Sequence, residues 1–488
     1  MNTRRNIKGM LVVFIALFLL LAVYLVYIIG AYGAYWFSSP YNTRVRERQN
    51  TVLAGDIYDR NGIILAYTDD DGNRFYSADR DVRLATAHVI GDNTGQTLGA
   101  EALFSKYLLG FEQDIGARLV QLLENKQQKG ADITLTVDAA LCAYARSLLG
   151  DKSGAVFVMN YKTGEVLINT SSPEFDPQRM TDYASGNYNL ADGSMVNRAT
   201  MGRYTPGSVF KIVTAVAALR HIPGVEERSF HCDGALVFDK KSGTLVEGMD
   251  PYDGDGNVKA EYAVLTDHDQ SVHGTLTLQE AFIHSCNHVF AELALEVGKD
   301  NMKKTAESLG FNGEYLFDEL VAYCGMYDPG ETDFNLAWSG VGQDTDIVTP
   351  VQMTLLAAAA ANDGIAMQPK LLKSVHGTEN TSYRTVQPEE YQTLLKGNEA
   401  AFLKRSMLGV VESGTGKKAA VEGFSVAGKT GTAEISSSGE ILPHAWFTGF
   451  IDSDAHPYAI TVIVERGGGG GTVAAPIAGE ILAACCKK

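Results

Sequence analysis

The sequence predicts an α+β protein in which an antiparallel sheet is flanked by helices, above a small α+β pedestal and an N-terminal membrane anchor. Three observations predict it. Met10 to Ile29 (MLVVFIALFLLLAVYLVYII) carries no charge. From residue 151 onward, helical patterns alternate with short strand patterns. Near the C-terminus, FSVAGKTGTAEI, HAWFTGFID and YAITVIVER are three strand-like runs separated by polar turns, as in sequential antiparallel strands.

Taken in order, the apolar run comes first. At about 1.5 Å per residue it can cross a hydrocarbon core about 30 Å thick. It exceeds the apolar region of a cleaved signal peptide, and AYGAYWFSSP offers a poor cleavage site, so an uncleaved anchor over 10–30 is expected. Arg4, Arg5 and Lys8 precede the run. The positive-inside rule therefore leaves residues 1–9 in the cytoplasm and the body outside, with Tyr24, Tyr27, Tyr32, Tyr35 and Trp36 toward the outer interface.

VLAGDIYDRNGIILAYT alternates around Arg60-Asn61-Gly62 and predicts a β-hairpin. GAEALFSKYLLG predicts a helix, and DITLTVDAALCAYARSLL a strand followed by a helix. These make the pedestal, 31–150. SGAVFVMNYKTGEVLINTSSP predicts two strands joined at Lys162-Thr163-Gly164, opening the main domain, 151–488. TPVQMTLLAAAAANDG predicts a helix capped by Thr349, begun by Pro350 and stopped at Asn362-Asp363-Gly364, with alanines that permit close packing. The GGGGG run at 467–471 predicts a flexible turn, because no strand-loop-helix context makes it a phosphate loop.

Composition excludes several classes of function. At 488 residues the chain has room for two or three domains, and 45% hydrophobic with 20% charged residues is a globular balance. A formal charge of −17 with no basic cluster past the first residues argues against a nucleic-acid partner. Six cysteines (Cys142, Cys232, Cys286, Cys324, Cys485 and Cys486) show no zinc-site spacing, so no metal or cofactor is expected and unpaired thiols are. His231 and Cys232 read as incidental.

The chemistry starts at YTPGSVFKIVTA. If a helix begins here, Ser208 and Lys211 lie one turn apart on one face, as a nucleophile and the base that activates it. Ser-x-x-Lys turns up by chance about once or twice in a chain of this length, so the pair needs company. Ser285-Cys286-Asn287 can relay protons and hold an amide, and Lys429-Thr430-Gly431-Thr432 brings a cation and donors to an apolar strand. Similar triplets recur at Lys152, Lys162, Lys241 and Ser185, but after Ser208 only these two follow in this order.

The three motifs occur together in penicillin-binding proteins and class A β-lactamases. With GDIYDRNGIILA, NRATMGRYTPGSVFK, HSCN, SGVGQ, TPVQM, GKTGTAE and HAWFTGF in order, the chain resembles a class B penicillin-binding protein, most closely the short penicillin-binding protein A type. The resemblance implies the penicillin-binding, serine β-lactamase-like fold and a peptidoglycan D,D-transpeptidase. It implies Ser208 as the acylated nucleophile, Lys211 as its base with a pKa lowered by burial and a nearby cation, and Ser285 as proton relay. Asn287 would hold the substrate amide, Lys429 would supply positive potential, and Thr430 and Thr432 would bind the terminal carboxylate of a D-Ala-D-Ala stem peptide. The N–H groups of Ser208 and Thr432 would form the oxyanion hole, Gly431 would leave room for the ligand, and the peptide would add alongside the GKTGT strand. A β-lactam antibiotic would acylate Ser208. A membrane glycosyltransferase of the shape, elongation, division and sporulation (SEDS) family is the implied partner.

Cys286 stands where the motif usually carries aspartate, and reads as a buried packing thiol. Ser339 to Gln343 and His444 read as scaffold. Rival readings are a β-lactamase using Glu331 near Asn335 for deacylation, a D,D-carboxypeptidase, and a non-catalytic β-lactam sensor or scaffold.

Overall fold

A computed structural model describes residues 3–37, 42–112, 128–267, 271–377, 382–385, 387–435 and 442–487. Helix α1 (Thr3–Phe37) contains an apolar stretch, Asn6–Gly30, of mean hydropathy 3.1 with none of it buried against the body. A helix so apolar on every side needs a solvent other than water.

The predicted hairpin forms from β1 (Ile57–Tyr58) and β2 (Ile64–Thr68). Asp59 fixes the turn by accepting from the N–H groups of Asn61 and Ile63, and Gly62 takes φ 84°. With β3 (Arg74–Tyr76) and β4 (Asp132–Leu135) it belongs to a six-stranded sheet, completed by Leu372–His376 and Ser382–Thr385 from far along the chain. The helix predicted in GAEALFSKYLLG is broken in two, Ala100–Leu103 and Ser105–Leu108. Phe104 between them buries its ring at φ −106° and ψ 15°, outside helical geometry.

Helix α2 (Ala139–Leu149), capped by Asp138, leads into the main sheet. That sheet holds β5 (Gly154–Asn160) and β6 (Val166–Ser172), joined at the predicted turn. Farther on, Ser229–Cys232 (β7) and Gly274–Thr277 (β8) form a separate ribbon, and β9 (Val426–Ala433), β10 (His444–Ile451) and β11 (Tyr458–Val464) complete the main sheet. Its order is β9-β10-β11-β5-β6, antiparallel throughout, which places β9 at an edge.

The helices of the main body are α3 (Lys211–His221), α4 (Leu278–His284), α5 (Asn287–Val297), α6 (Asp333–Gly340), α7 (Pro350–Ala361), α8 (Gly397–Glu412) and α9 (Ala474–Cys486). All of α7 is buried: its alanines let the backbone approach the sheet, and Thr354 donates to Thr461 at 2.8 Å. Thr349 caps it and Asp363 and Gly364 at positive φ end it, as the sequence predicts. The glycine run packs more tightly than a flexible turn requires. A Cβ on Gly470 would fall 2.2 Å from the Gly431 carbonyl oxygen, so the run lies directly on β9.

Candidate active site

The sequence YTPGSVFK makes a 3-10 turn, Gly207–Phe210, that feeds directly into α3 at Lys211. Gly207 holds φ 56° and donates its N–H to the Gly342 carbonyl at 2.7 Å. The contact is backbone on backbone, since a Cβ on Gly342 would lie 2.0 Å from the Gly207 oxygen. The SGVGQ segment thus clamps the turn, which suits its reading as scaffold. Ser208 is half-buried at this turn, and its hydroxyl forms no hydrogen bond among the described residues.

Lys211 is fully buried, and its Nζ donates to the Ser285 carbonyl at 2.5 Å, to Asn287 Oδ1 at 2.7 Å and to Ser285 Oγ at 3.3 Å. The expected meeting of Ser208 with Lys211 is therefore not a hydrogen bond here: the amine is drawn to three acceptors on the second motif. That motif is a two-residue joint. Thr277 and Glu280 form a capping box that starts α4, Ser285 ends it at φ 60° and ψ 37°, and Cys286 caps α5. A left-handed serine is strained, and here the strain aims its hydroxyl at the lysines.

Lys429 reaches the same point from β9. Its Nζ donates to Ser285 Oγ at 2.8 Å and to the Thr430 carbonyl at 3.3 Å, so one hydroxyl lies between two buried amines. Burial lowers the Lys211 pKa from 10.5 to about 8, against the opposing pull of Asp267 and Cys286. Burial, and then the charge of Lys211, holds Lys429 well below its usual value. Burial acts on both lysines, and a charge on either amine disfavours a charge on the other.

Thr430 and Thr432 share one face of β9. Thr430 Oγ1 lies 2.6 Å from Thr415 Oγ1, and Thr432 Oγ1 accepts from the Gly470 N–H at 3.2 Å. Gly431 is needed for a reason other than the one expected. A Cβ there would lie 2.8 Å from the Pro206 oxygen and 3.0 Å from Val209 Cγ1, so the space is filled by the Ser208 turn rather than left for a ligand.

Behind the second motif lies a cluster that sequence reasoning missed. Asp267, 2% exposed, accepts from the backbone N–H of Asn287 through Oδ1. Its Oδ2 lies 3.1 Å from Cys232 Sγ, 3.2 Å from Cys286 Sγ and 3.4 Å from His273 Nδ1. The β7–β8 ribbon pairs Cys232 with Gly274 and so brings the thiol beside His273. Cys286 is buried as expected, but Cys232 is not incidental: it faces the same carboxylate. No local spacing signals this, because two strand ribbons and the joint between α4 and α5 bring the four residues together from far apart in the chain.

Ser339 is buried and bonded to Tyr327, and His444 Nδ1 accepts from the Arg466 N–H, both as scaffold. Glu331 is exposed, and its carboxylate contacts none of these residues.

Residues 154–234 and 246–483 match the penicillin binding protein transpeptidase domain family. The peptidoglycan D,D-transpeptidase PbpA of Mycolicibacterium smegmatis is 30% identical over 396 residues, covering 77% of each chain. Stage V sporulation protein D of Bacillus subtilis is 29% identical over 428 residues, covering 81% of this chain and 62% of its own. Among solved structures, penicillin-binding protein A from M. tuberculosis as a ceftriaxone acyl-enzyme superposes with a TM-score of 0.77 at 25% identity, over 90% of this chain and 99% of that one.

Proposed function

The chain belongs to the penicillin-binding protein transpeptidase family, and we propose that it cross-links peptidoglycan through an acyl-enzyme on Ser208. The observation that carries this reading is the Ser285 hydroxyl held between Lys211 and Lys429. Lys211, in its neutral form, takes the proton as Ser208 Oγ attacks the carbonyl of the penultimate D-alanine. The N–H groups of Ser208 and Thr432 receive the developing oxyanion. As the C–N bond breaks, the proton returns through Ser285 to the departing amine of the terminal D-alanine. An acceptor amine then attacks the ester, loses its proton along the same path, and releases Ser208.

Asn287 Oδ1 has a second lone pair for the substrate amide, and Lys429 supplies positive potential. Thr430 and Thr432 take the terminal carboxylate in exchange for their present partners. The open edge of β9 gives the peptide a strand to pair with. A β-lactam presents the same acyl group but leaves it on Ser208. The exposed position of Glu331 favours this over a β-lactamase, which needs a base at the ester.

The apolar α1 supports a single-pass anchor at 10–30, with residues 1–9 cytoplasmic and the body outside; the pedestal over 31–150 borrows strands Leu372–His376 and Ser382–Thr385 from the catalytic domain over 151–488. A SEDS-family glycosyltransferase is the partner such an anchor and pedestal would meet.

The test is labelling of the full-length, detergent-solubilised protein with a fluorescent penicillin, wild type beside Ser208→Ala, followed by a chase. A stable adduct absent from the variant is expected. No wild-type adduct would point to a degenerate scaffold, and one lost within seconds to a hydrolase.

A further inference from the structure

We propose that the loop 313–324, beside the outer end of α1, binds a zwitterionic phospholipid of the outer leaflet, with an acyl chain in an apolar cavity and the headgroup between Arg203 and two carboxylates. The proposal rests on the anchor reading above. The loop and Tyr32 of α1 line one cavity of about 390 Å³, a size that suits part of a small amphiphile. Tyr32 donates its hydroxyl to Glu314 Oε2 at 2.9 Å, which ties the loop to the helix. The apolar stretch of α1 ends at Gly30, so Tyr32 stands about 3 Å farther along the helix axis. The headgroup layer outside the hydrocarbon is about 5–7 Å deep. The cavity therefore lies at headgroup depth.

The loop is preformed, although it holds neither helix nor strand. Asn312 pins its neck, donating its N–H to the Gly325 carbonyl at 3.0 Å and its side-chain amide to the Tyr327 carbonyl at 2.9 Å. Cys324 closes the base by donating to the Gly313 carbonyl at 2.6 Å. Phe317 and Leu320 turn inward and form the cavity floor, whereas Leu316 remains 41% and Tyr323 42% exposed at its wall. In water these two side chains leave apolar surface uncovered. At a bilayer surface the leucine meets acyl groups, and the tyrosine keeps its ring in an apolar layer with its hydroxyl in a wet one.

Charge selects the headgroup. Arg203, Glu314 and Asp318 share the cavity wall, yet Arg203 pairs with neither acid. Arg203 is exposed, has no carboxylate partner among the described residues, and lies over the Tyr323 ring at 4.9 Å. Asp318 is exposed and bonded to nothing among the described residues, and Glu314 holds only Tyr32. A phosphate bonds to the guanidinium, and an ammonium on the same headgroup donates to the two carboxylates. Phosphatidylethanolamine carries both groups. Phosphatidylglycerol would set its net negative charge against two acids and one base, and phosphatidylcholine has no N–H to donate. With α1 and the loop both held by the bilayer, the body has two points of attachment, which fix its tilt above the membrane.

The test is photo-crosslinking of full-length protein in phosphatidylcholine vesicles doped with phosphatidylethanolamine that carries a diazirine in its acyl chain, with adducts mapped by mass spectrometry. Adducts on 313–324 and on α1 are expected. Phosphatidylglycerol and phosphatidylcholine bearing the same chain should label α1 equally and the loop about tenfold less, as when hydrogen bonds to charged groups are lost. Arg203→Ala and Leu316→Glu should each cut loop labelling by a similar factor. Labelling of α1, and penicillin labelling of Ser208, should stay as in wild type. If the variants fail to fold, the wild-type ranking of the three headgroups decides. Equal loop labelling by all three lipids overturns the proposal, as does loop labelling that survives both variants. A bare loop beside a labelled α1 overturns it and leaves the anchor standing, whereas a bare α1 overturns the anchor reading as well.

Discussion

Residues 285–287 face two regions of opposite character. In front, Ser285 Oγ and Asn287 Oδ1 meet two buried lysines, one with its pKa drawn down to about 8. Behind, Cys286 and the Asn287 N–H meet a buried carboxylate flanked by a second thiol and an imidazole. In front, burial destabilises both amines as cations, which suits the proposed movement of protons there. The back is a site for holding still, because its donors already point at one oxygen. A catalytic motif thus needs a mount, and the mount can carry as much polar chemistry as the face in front of it.

Removing the front amine should have the largest effect. Lys211→Ala should slow acylation by a fluorescent penicillin about 10²- to 10⁴-fold, the usual worth of a positioned general base. A loss of under tenfold would move the base elsewhere. On the back face, Asp267→Asn keeps an acceptor for the Asn287 N–H but loses the charge. It should cost about 10- to 100-fold, since a hydrogen bond to a charged group is worth about 1.5–3 kcal/mol. The fall should appear in the acylation rate constant and leave penicillin affinity nearly unchanged. Loss of affinity alone would mean that the back face shapes the pocket rather than the motif.

A smaller effect separates the two faces by pH. Lys211 acts as a base only when neutral, and a pKa lowered to about 8 leaves about a tenth of it neutral at pH 7 and half at pH 8. The sign follows directly: acylation should rise with pH, about fivefold between 7 and 8, and level off above. The penicillin acylation rate across pH 6 to 9 checks it. A flat profile would show that Lys211 is not the base that limits the rate.

The front was legible in the sequence because each motif is local. Ser208 and Lys211 are one turn apart, Ser285 and Asn287 flank one joint, and Lys429 to Thr432 lie on one strand, so spacing fixed their relative placement before any tertiary contact was known. The strands of the main sheet were legible for the same reason. The back was not, since one ribbon pairs residues over 40 positions apart to set Cys232 beside His273, and a second, Ala235–Asp239 with Tyr262–Thr266, delivers Asp267. The same cause hid the strand at Leu372–His376 that joins β4, and the role of Gly431, whose neighbour is the Ser208 turn rather than open space. Thr415, beside Thr430, had no signal at all.

The smallest expected effect tests what neither face contains. Glu331 falls in the interval where a deacylating base would be sought, but its carboxylate is exposed and bonded to nothing in the site. A water attacking the Ser208 ester needs a base within about 3 Å, or one water away, and an exposed side chain with no partner among the described residues is not held there. Glu331→Gln should therefore leave both the rate of penicillin acylation and the lifetime of the adduct within about twofold of wild type, as a surface change should. A variant adduct that lasts tenfold longer would show that Glu331 reaches the ester in the acylated state. The slow release that defines a penicillin target would then be a tuned hydrolysis, and the front face would hold a third titrating group beyond its two lysines.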